Sequence, residues 1–446
     1  MKLLDNLSEQ IVEASKIDKQ LFEKFNVKRG LRNADGSGVL VGLTNIGDVV
    51  GYKKDENKVT PVDGQLYYRG YELMDLVHGF QKEGRHGFDE TAFLLLTGKL
   101  PSKDELDEFS KYLISHRDLT ANFTKNSILS LRGKSIMNML ARSVLILYTL
   151  DSKPEDLSAK NLLYQALTLI AKFPTIVAYS YHGMRHSFHR ESLVIRHPKK
   201  EFTTAENFLY MLKGDKFSHL EADILDLALV IHAEHGGGNN SSFTTRVVSS
   251  SGTDTYSAIA AALGSLKGPL HGGANQSVMG MMEDIKDNVE DWADEDEVKA
   301  YLMKILRKEA YDLSGKIYGI GHAIYTKSDP RTILLKEKAK ELAEEKGREE
   351  EYNLYEIIEK TAPEVFYEYR GKQDKTVCAN VDFYSGFVYN CIDIPEELYT
   401  PMFAVARICG WCAHRMEELL FTSKRIIRPA YKNVGGVKKY QSIEKR

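Results

Sequence analysis

Residues 219–238 read HLEADILDLALVIHAEHGGG, and this stretch decides the fold class. Its apolar residues recur at spacings of four, three and four positions, at Leu220, Ile224, Leu227 and Ile231. Such a spacing places them on one face of an α-helix, so the stretch predicts a core helix. The glycines at 236–238 either close this helix in the left-handed conformation or let backbone approach a ligand, and both interpretations stay open.

Helical periodicity also dominates the rest of the chain. A further helix is predicted to begin at Thr400 with Pro401 at its first position, where the missing N–H of proline costs nothing. Alternating strand patterns are confined to VLVGLTNIGDVVGYK (39–53) and QLYYRGYEL (65–73). The sequence therefore predicts an all-α fold with minor β structure near the N-terminus.

Composition bounds the class of protein. The 446 residues, 43% of them hydrophobic, suffice for two or three domain-sized units. Sixty basic and 63 acidic residues are well mixed, so no overall field favours nucleic acid or an anionic membrane. Runs such as LDLALVIHA are too short for a membrane span, which needs about 20 apolar residues. An anionic substrate would then be held by local arginines.

The cysteines and the N-terminal sequence point to a reducing compartment. Four cysteines cannot form a dense disulfide framework, and they are Cys378, Cys391, Cys409 and Cys412. The opening MKLLDNLSEQIVEASK resembles neither a signal nor a transit peptide, so we expect a cytoplasmic protein. Cys409 and Cys412 have the spacing of a redox or metal pair, but they fall in a predicted apolar helix without a second pair. Core packing is the better interpretation.

Titratable residues cluster beside glycines at four places, which are HAEHGGGNNSSF (232–243), GPLHGGANQ (268–276), GIGHAIYTKSDPR (319–331) and NVDFYSG (380–386). In the second cluster His271 precedes a predicted helix. The positive end of the helix dipole disfavours an imidazolium there, so we expect a neutral imidazole that can donate to a carbonyl oxygen. This is the chemistry that enolisation needs. A helix-capping histidine is the alternative.

The other clusters offer a base and arginine forks. Asp382 lies between Val381 and Phe383, and burial among them would make its carboxylate a better base for a weak carbon acid. His322 and Arg331 share one loop, which joins a proton donor to a guanidinium suited to dicarboxylates. Two further arginines, Arg407 and Arg428, could supply such forks. Either of them could equally be a surface side chain.

The four clusters, in this order, resemble the signature segments of citrate synthases. YRGY (68–71) and ENFLYML (206–212) also resemble family segments, so the similarity runs from about residue 40 to about residue 430. The resemblance implies a homodimer of nearly all-helical subunits, each with a large domain and a smaller mobile domain that closes over the substrates. We place the large domain at 1–276 with 391–446, and the small domain at 277–390.

The resemblance also implies the reaction, which is condensation of acetyl-CoA with oxaloacetate and water to citrate and CoA in the tricarboxylic acid cycle. His271 would hydrogen-bond the thioester oxygen while Asp382 removes a methyl proton, and His322 would polarise the ketone. Citryl-CoA would form and then be hydrolysed, with no metal and no cofactor apart from acetyl-CoA as a substrate.

The substrate-binding residues follow from the same resemblance. His235, Arg331 and Arg407 would bind oxaloacetate, and Arg428 would reach the site of the partner subunit. His232 is expected to be structural. Gly319, Gly321 and Lys327 would contact CoA, but many relatives carry Lys or Arg where this chain has Thr326. Lys327 is adjacent and could substitute for that residue.

Three alternatives stay open at this point. A 2-methylcitrate synthase shares the motifs and prefers propionyl-CoA, and one methylene in an apolar pocket is worth only about 1–3 kcal/mol. A metal-dependent hydrolase could use His232, His235 and His271 as ligands, but no HExxH motif or Cys/His ligand set accompanies them. An inert helical binding scaffold would leave the glycine-flanked histidines unexplained.

Overall fold

The computed structural model describes residues 2–33, 37–55, 58–371 and 377–446. These ranges form eighteen α-helices and one small sheet. The helices are α1 (Lys2–Ala14), α2 (Gln20–Lys24), α3 (Leu73–Lys82), α4 (Phe88–Thr97), α5 (Lys103–Ser115), α6 (Ala121–Phe123), α7 (Ile136–Tyr148), α8 (Ala159–His189), α9 (Thr204–Lys213), α10 (His219–His232), α11 (Asn240–Ser249), α12 (Thr255–Lys267), α13 (Ala274–Asn288), α14 (Glu295–Leu306), α15 (Pro330–Lys346), α16 (Glu349–Arg370), α17 (Val381–Cys391) and α18 (Tyr399–Leu420). The strands are β1 (Gly47–Asp55), β2 (Lys58–Tyr68) and β3 (Tyr71–Glu72). The prediction of an all-α fold with minor β structure near the N-terminus is confirmed.

The core is built around α10 and α18. Helix α10 is buried on almost all sides and packs on α18, α9 and α15. In the predicted apolar stripe, Ile224, Leu227 and Ile231 are fully buried and Leu220 is partly buried. Helix α18 also packs on α4, α8, α11 and α12, so it lies at the centre of the helical layers. Helix α10 ends at His232, and three residues separate it from Gly236. Gly236 has a φ of +80°, which only glycine adopts easily.

The predicted start of α18 was wrong by one residue. The helix begins at Tyr399, directly after a 3-10 turn at Glu396–Leu398, and Pro401 lies in its first turn. The turn already provides helical backbone, so Thr400 is not needed as a cap. Its hydroxyl donates instead to the carbonyl oxygen of Gly272 at 2.8 Å, beside His271.

The sheet supports the loop that follows Gly321. Its strands pair antiparallel in the order β1-β2-β3. The backbone N–H of Gly64 in β2 donates to the hydroxyl of Ser328 at 3.0 Å. A Cβ atom at position 64 would lie 2.1 Å from the carbonyl oxygen of Ser328, so only glycine permits this approach. The sheet therefore fixes the segment that carries His322 and Arg331.

Helix α8 is the one helix in the described ranges that is long and apolar enough to cross a membrane by length and composition. Within its most apolar window, 83% of the residues are buried inside the protein. A buried helix of this kind is typical of a protein core, and its 31 residues pack on α7, α9 and α18.

Two compact units can be separated, one of residues 44–425 and one of Met1–Leu43 with Ile426–Arg446. The smaller unit holds α1 and α2, and within it the Lys432 ammonium lies 5.8 Å from the centre of the Phe25 ring. In the larger unit, α13 to α17 pack mainly on one another, in the pairs α13 with α17, α14 with α16, and α15 with α16 and α17. A mobile domain at 277–390 stays a prediction.

Candidate active site

The structure brings six of the predicted residues together. The rings of His235 and His322 meet edge to face with their centres 5.2 Å apart. The ring of Phe403 lies 6.1 Å from that of His271, and the guanidinium carbon of Arg407 lies 4.7 Å from the centre of the Phe403 ring. Arg331 and Asp382 belong to the same group, because the charges of Arg331 and Arg407 act on the Asp382 carboxylate.

The proton of a neutral His322 is on Nε2. Its Nδ1 accepts hydrogen bonds from the backbone N–H groups of Ile324 and Tyr325, each at 3.1 Å. A nitrogen that accepts two donors carries no proton, so a neutral ring presents Nε2–H as a donor. The ring also stacks on Tyr325, with 4.7 Å between the ring centres, which fixes its plane.

His271 lies in the turn between α12 and α13, and its Nε2 is 3.1 Å from the hydroxyl of Ser241. Burial lowers the pKa of His271 to about 4, and the positive charge of Arg407 adds to this. The neutrality expected from the helix dipole thus has burial as its main cause.

Ser241 has a hydroxyl that can hold the neutral His271 ring in the tautomer whose proton is on Nδ1. It accepts a hydrogen bond from Nε1–H of Trp411 at 3.0 Å, and it is 2.9 Å from Oδ1 of Asn239. Its single proton can therefore go to Asn239 or to Nε2 of His271. Donation to His271 leaves the imidazole proton on Nδ1, away from the protein hydroxyl.

Asp382 lies in the first turn of α17, and its side chain is partly buried. Burial raises the pKa of Asp382 to about 6, although the positive charges of Arg331 and Arg407 oppose the rise. Asp329 raises it further. A carboxylate with a pKa near 6 is a stronger base than an ordinary aspartate and is still mostly ionised at neutral pH.

The two buried arginines of the site differ in the hydrogen-bond partners of their guanidinium groups. Arg331 donates from Nε and Nη2 to the two oxygens of Asp329, at 3.0 and 2.7 Å, so its fork already faces a carboxylate. Arg407 donates from Nε to the carbonyl oxygen of His232 at 2.6 Å. Its Nη1 and Nη2 are buried and find no hydrogen-bond partner among the described residues. Burial lowers the pKa of Arg407 to about 10, with Arg331 acting in the same direction.

His235 is the second buried group that is open to a ligand. Burial lowers its pKa well below the ordinary value, and Arg331, His322 and Arg407 contribute in the same direction. Its Nε2 has no hydrogen-bond partner within the described part of the chain. His232 differs, because its Nδ1 lies 2.8 Å from the carbonyl oxygen of Ala228 inside α10. A neutral histidine and an unpaired fork together form a place for a carboxylate.

The residues expected to contact CoA lie on the His322 loop. Gly319 and Gly321 have φ values of +79° and +104°, and a Cβ atom at 319 would lie 2.8 Å from the Phe383 ring. Lys327 is exposed, and Thr326 has a buried hydroxyl without a partner among the described residues. Arg428 is exposed and belongs to the smaller unit, so its place in the site stays a prediction.

Sequence reasoning missed several side chains that position the site. Asn380 caps α17 by accepting from the N–H of Asp382, and its side chain bonds Gly321. Phe403 contacts the rings of both His232 and His271. Asn380 had a signal, since an asparagine just before an apolar helical stretch is a preferred cap. Phe403 had none, because an aromatic residue in a buried helix is indistinguishable from core.

Among the described residues, no group of three or more His, Cys, Asp or Glu side chains is placed to hold one metal ion. His232, His235 and His271 therefore do not form the ligand set that the hydrolase alternative requires. All four cysteines lie in the described ranges, and none forms a disulfide. Cys409 and Cys412 are buried in α18, in keeping with the core-packing interpretation.

Comparisons with known proteins identify the family to which the chain is similar. The family model described as "Citrate synthase, C-terminal domain" matches residues 36–430. The chain is 35% identical over 385 residues to citrate synthase of Synechocystis sp., covering 86% of this chain and 88% of that protein. It is 33% identical to 2-methylcitrate synthase of Shewanella oneidensis over 371 residues, covering 83% and 88%. Citrate synthase of Thermoplasma acidophilum, solved with carboxymethyl coenzyme A and oxaloacetate, superposes with a TM-score of 0.76 at 25% identity, covering 94% and 99%.

Proposed function

The chain belongs to the citrate synthase family and is an acyltransferase, and from this premise we propose that it condenses acetyl-CoA with oxaloacetate and water to citrate and CoA. The observation that carries the proposal is the buried, unpaired fork of Arg407. A guanidinium whose two terminal nitrogens lack hydrogen-bond partners is costly in a protein interior, and a substrate carboxylate would satisfy both nitrogens through two parallel hydrogen bonds. The dicarboxylate oxaloacetate fits this fork together with His235.

Enolisation is assigned to His271 and Asp382. Asp382 takes a proton from the methyl group of acetyl-CoA, and the C–H electron pair moves into the thioester as an enolate. A ring N–H of neutral His271 donates to the thioester oxygen and stabilises the new charge. The opposite pKa shifts, to about 6 for Asp382 and about 4 for His271, support these roles, because one group stays a base and the other stays a neutral donor.

Condensation is assigned to His322. Its Nε2–H donates to the ketone oxygen of oxaloacetate while the enolate carbon attacks the ketone carbon, and the ketone oxygen takes up a proton to give citryl-CoA. Water then adds to the thioester, the C–S bond breaks, and CoA leaves as the protonated thiol. The two backbone hydrogen bonds to Nδ1 support this role, because they keep the proton of the neutral ring on Nε2.

The test measures release of CoA thiol with oxaloacetate and either acetyl-CoA or propionyl-CoA, with and without EDTA. EDTA-insensitive release that favours acetyl-CoA is the expected result. A preference for propionyl-CoA would instead identify 2-methylcitrate synthase, the activity named for the relative from Shewanella oneidensis. No release with either thioester would overturn the proposal.

We further propose a cytoplasmic homodimer in which Arg428 completes the site of the partner. Mixed dimers test this geometry. When Asp382→Ala subunits are refolded with Arg428→Ala subunits, a shared site leaves one intact active centre in each heterodimer, and activity returns. If Arg428 served its own subunit, every centre in the mixture would lack one residue and activity would stay absent.

Domain closure is the last part of the proposal. Oxaloacetate would bind first and draw the segment 277–390 over the site, which would raise the affinity for the CoA thioester. The support is the position of Arg331, which comes from that segment and lies within electrostatic range of Arg407. An acetyl-CoA affinity that is the same with and without saturating oxaloacetate would contradict closure.

A further inference from the structure

Glu234 is a buried carboxylate that the proposed reaction does not use. It lies between His232 and His235 in the turn that follows α10, and its side chain is fully buried. Burial raises the pKa of a carboxylate, but His414 and Arg407 lower it, and the pKa of Glu234 lies below its ordinary value. A charged group in such a place needs partners that hold it.

Those partners come from α18 and from the turn itself. Oε1 of Glu234 accepts from the backbone N–H of Gly236 and from Nε2 of His414, the latter at 2.9 Å. The hydroxyl of Tyr68 donates to the carbonyl oxygen of Glu234 at 3.2 Å. Hydrogen bonds of Glu234 therefore flank His235 in sequence. On one side Tyr68 donates to the carbonyl oxygen of Glu234, and on the other the N–H of Gly236 donates to its carboxylate.

His414 is oriented by a second arginine. Its Nδ1 accepts from Nη2 and Nε of Arg246, at 2.7 and 3.1 Å, so its ring donates from Nε2 to Glu234. Arg246 in turn pairs with Glu417 and, at 3.1 Å, with Glu418. The direction of every hydrogen bond from Arg246 to Glu234 is therefore fixed.

The packing around Glu234 leaves little freedom. A Cβ atom at Gly410 would lie 2.3 Å from Oε2 of Glu234 and 3.4 Å from Cδ of Arg407. Glycine at this position lets α18 approach the carboxylate one turn after Arg407. Oε2 has no hydrogen-bond partner among the described residues, so the contact through Oε1 carries the side-chain connection.

We propose that Glu234 and His414 are positioning residues for the dicarboxylate site, an inference that rests on the proposed function. The pair ties the turn that carries His235 to α18, which carries Arg407. His235 and Arg407 come from different helices, and the pair sets the distance between the imidazole and the guanidinium fork. Displacement by about 1 Å at a binding site can cost about a hundredfold in activity, so this connection matters for binding.

Three variants and one control separate positioning from general stability. Glu234→Ala and His414→Ala break the connection from its two ends. His414→Gln keeps it, because an amide can accept from Arg246 and donate to Glu234. Glu221→Gln is the control, since Glu221 is also a buried carboxylate, but it lies in α10, outside the site, and is bonded to Lys213 and Lys346.

The measurements are the Kd of oxaloacetate by calorimetry, the KM of each substrate, and the Tm. We expect Glu234→Ala and His414→Ala to raise the Kd and KM of oxaloacetate by about tenfold or more. The KM of acetyl-CoA at saturating oxaloacetate should stay within about twofold, and His414→Gln should restore oxaloacetate binding. Glu221→Gln should lower the Tm and leave the Kd unchanged.

Wild-type oxaloacetate binding in His414→Ala would overturn the inference, and so would an equal loss in Glu221→Gln. If Glu234→Ala does not fold, the comparison of His414→Ala with His414→Gln decides alone. Failure of the proposed function is a separate result, because the wild-type protein would then neither bind oxaloacetate nor release thiol. That result would overturn both proposals.

Discussion

The side-chain amide of Asn380 donates a hydrogen bond to the carbonyl oxygen of Gly321, with 2.8 Å between the two atoms. The backbone adds two bonds to this contact, from Asn380 N–H to Gly319 and from Gly321 N–H to Cys378, each at 2.8 Å. Asn380 also caps the helix that carries Asp382. The loop of His322 and the helix of Asp382 are therefore one connected structure, which fixes the proposed donor relative to the proposed base.

Replacement of Asn380 by serine tests this connection. Serine can still cap α17, but it is too short to reach Gly321, so folding should be retained while the two segments loosen. We expect kcat to fall by about tenfold or more with a Tm within a few degrees of wild type. Asn380→Ala loses the cap as well, at about 1 kcal/mol, and separates the two effects in a thermal melt. Unchanged kcat in Asn380→Ser would show that the contact is dispensable.

Loss of either proposed proton-transfer partner should nearly abolish turnover. Asp382→Ala removes the base and His271→Ala removes the donor to the thioester oxygen, and each effect is expected to exceed about a hundredfold in kcat. Circular dichroism and the Tm should show a folded protein. Near-normal thiol release by either variant would refute the roles given to these residues.

The pH dependence of activity follows from Asp382. Its pKa is raised to about 6, so kcat/KM should fall below about pH 6 as the base becomes protonated. His271, with its pKa lowered to about 4, stays neutral over this range and adds no second step. A flat rate profile between pH 5 and pH 8 would contradict the assignment.

The same pKa makes a prediction about stability. A carboxylate whose folded pKa lies above its unfolded value of about 3.9 contributes stability below pH 4, and this is lost as the pH rises through 6. Asp382→Asn should therefore be more stable than wild type at pH 8, by at most about 3 kcal/mol, and the gain should vanish near pH 4. The difference between the two proteins is the right measure, because the buried Asp226 also has its pKa raised to about 6.

The helical class and the site residues could both be predicted from the sequence, but for two different physical reasons. Helix α10 was predictable because its apolar periodicity is local. The four glycine-flanked clusters were conspicuous because close backbone approach and titratable groups occur together there. Their mutual placement depended on resemblance to a family, since no local pattern brings residue 235 to within reach of residue 322.

Other features required the folded chain. Arg331 has a carboxylate partner, because Asp329 directly precedes α15 and accepts from the Arg331 side chain two residues later. Two nitrogens of Arg407 have no hydrogen-bond partner among the described residues. The partner of Glu234 on α18, His414, lies 180 positions away, so no local signal could connect the two residues. The start of α18 was misplaced because the preceding 3-10 turn has no clear signature in sequence.

Lys327 is predicted to bind the CoA part of the thioester. It is an exposed basic residue that directly follows Thr326 on the His322 loop. Lys327→Ala should raise the KM of acetyl-CoA about fivefold, corresponding to the loss of one exposed ionic contact of about 1 kcal/mol, and leave the KM of oxaloacetate unchanged. Lys299→Ala is the control, because Lys299 pairs with Glu364 on α16 and should affect neither constant.

Arg407 and Arg415 offer a matched comparison on one helix. Both are fully buried in α18, and burial lowers the pKa of each to about 10. Arg415 uses all three nitrogens, donating to Thr255, Ser249 and the carbonyl oxygen of Thr253, at 3.1, 3.1 and 2.6 Å. Arg407 has two nitrogens without partners in the described structure. The first arginine is structural, whereas the second is built for a ligand.

Methionine at each position should therefore have different effects. Arg407→Met removes a guanidinium with two unsatisfied nitrogens, so the ligand-free Tm should fall less than in Arg415→Met, which breaks a satisfied network. Oxaloacetate at 100 times its Kd stabilises a binding protein by about 2.7 kcal/mol, so it should raise the Tm of wild type and of Arg415→Met. It should not raise the Tm of Arg407→Met. A retained ligand-induced shift in that variant would mean that the carboxylate binds elsewhere, because no other fork in the site has two free nitrogens to replace those of Arg407 among the described residues.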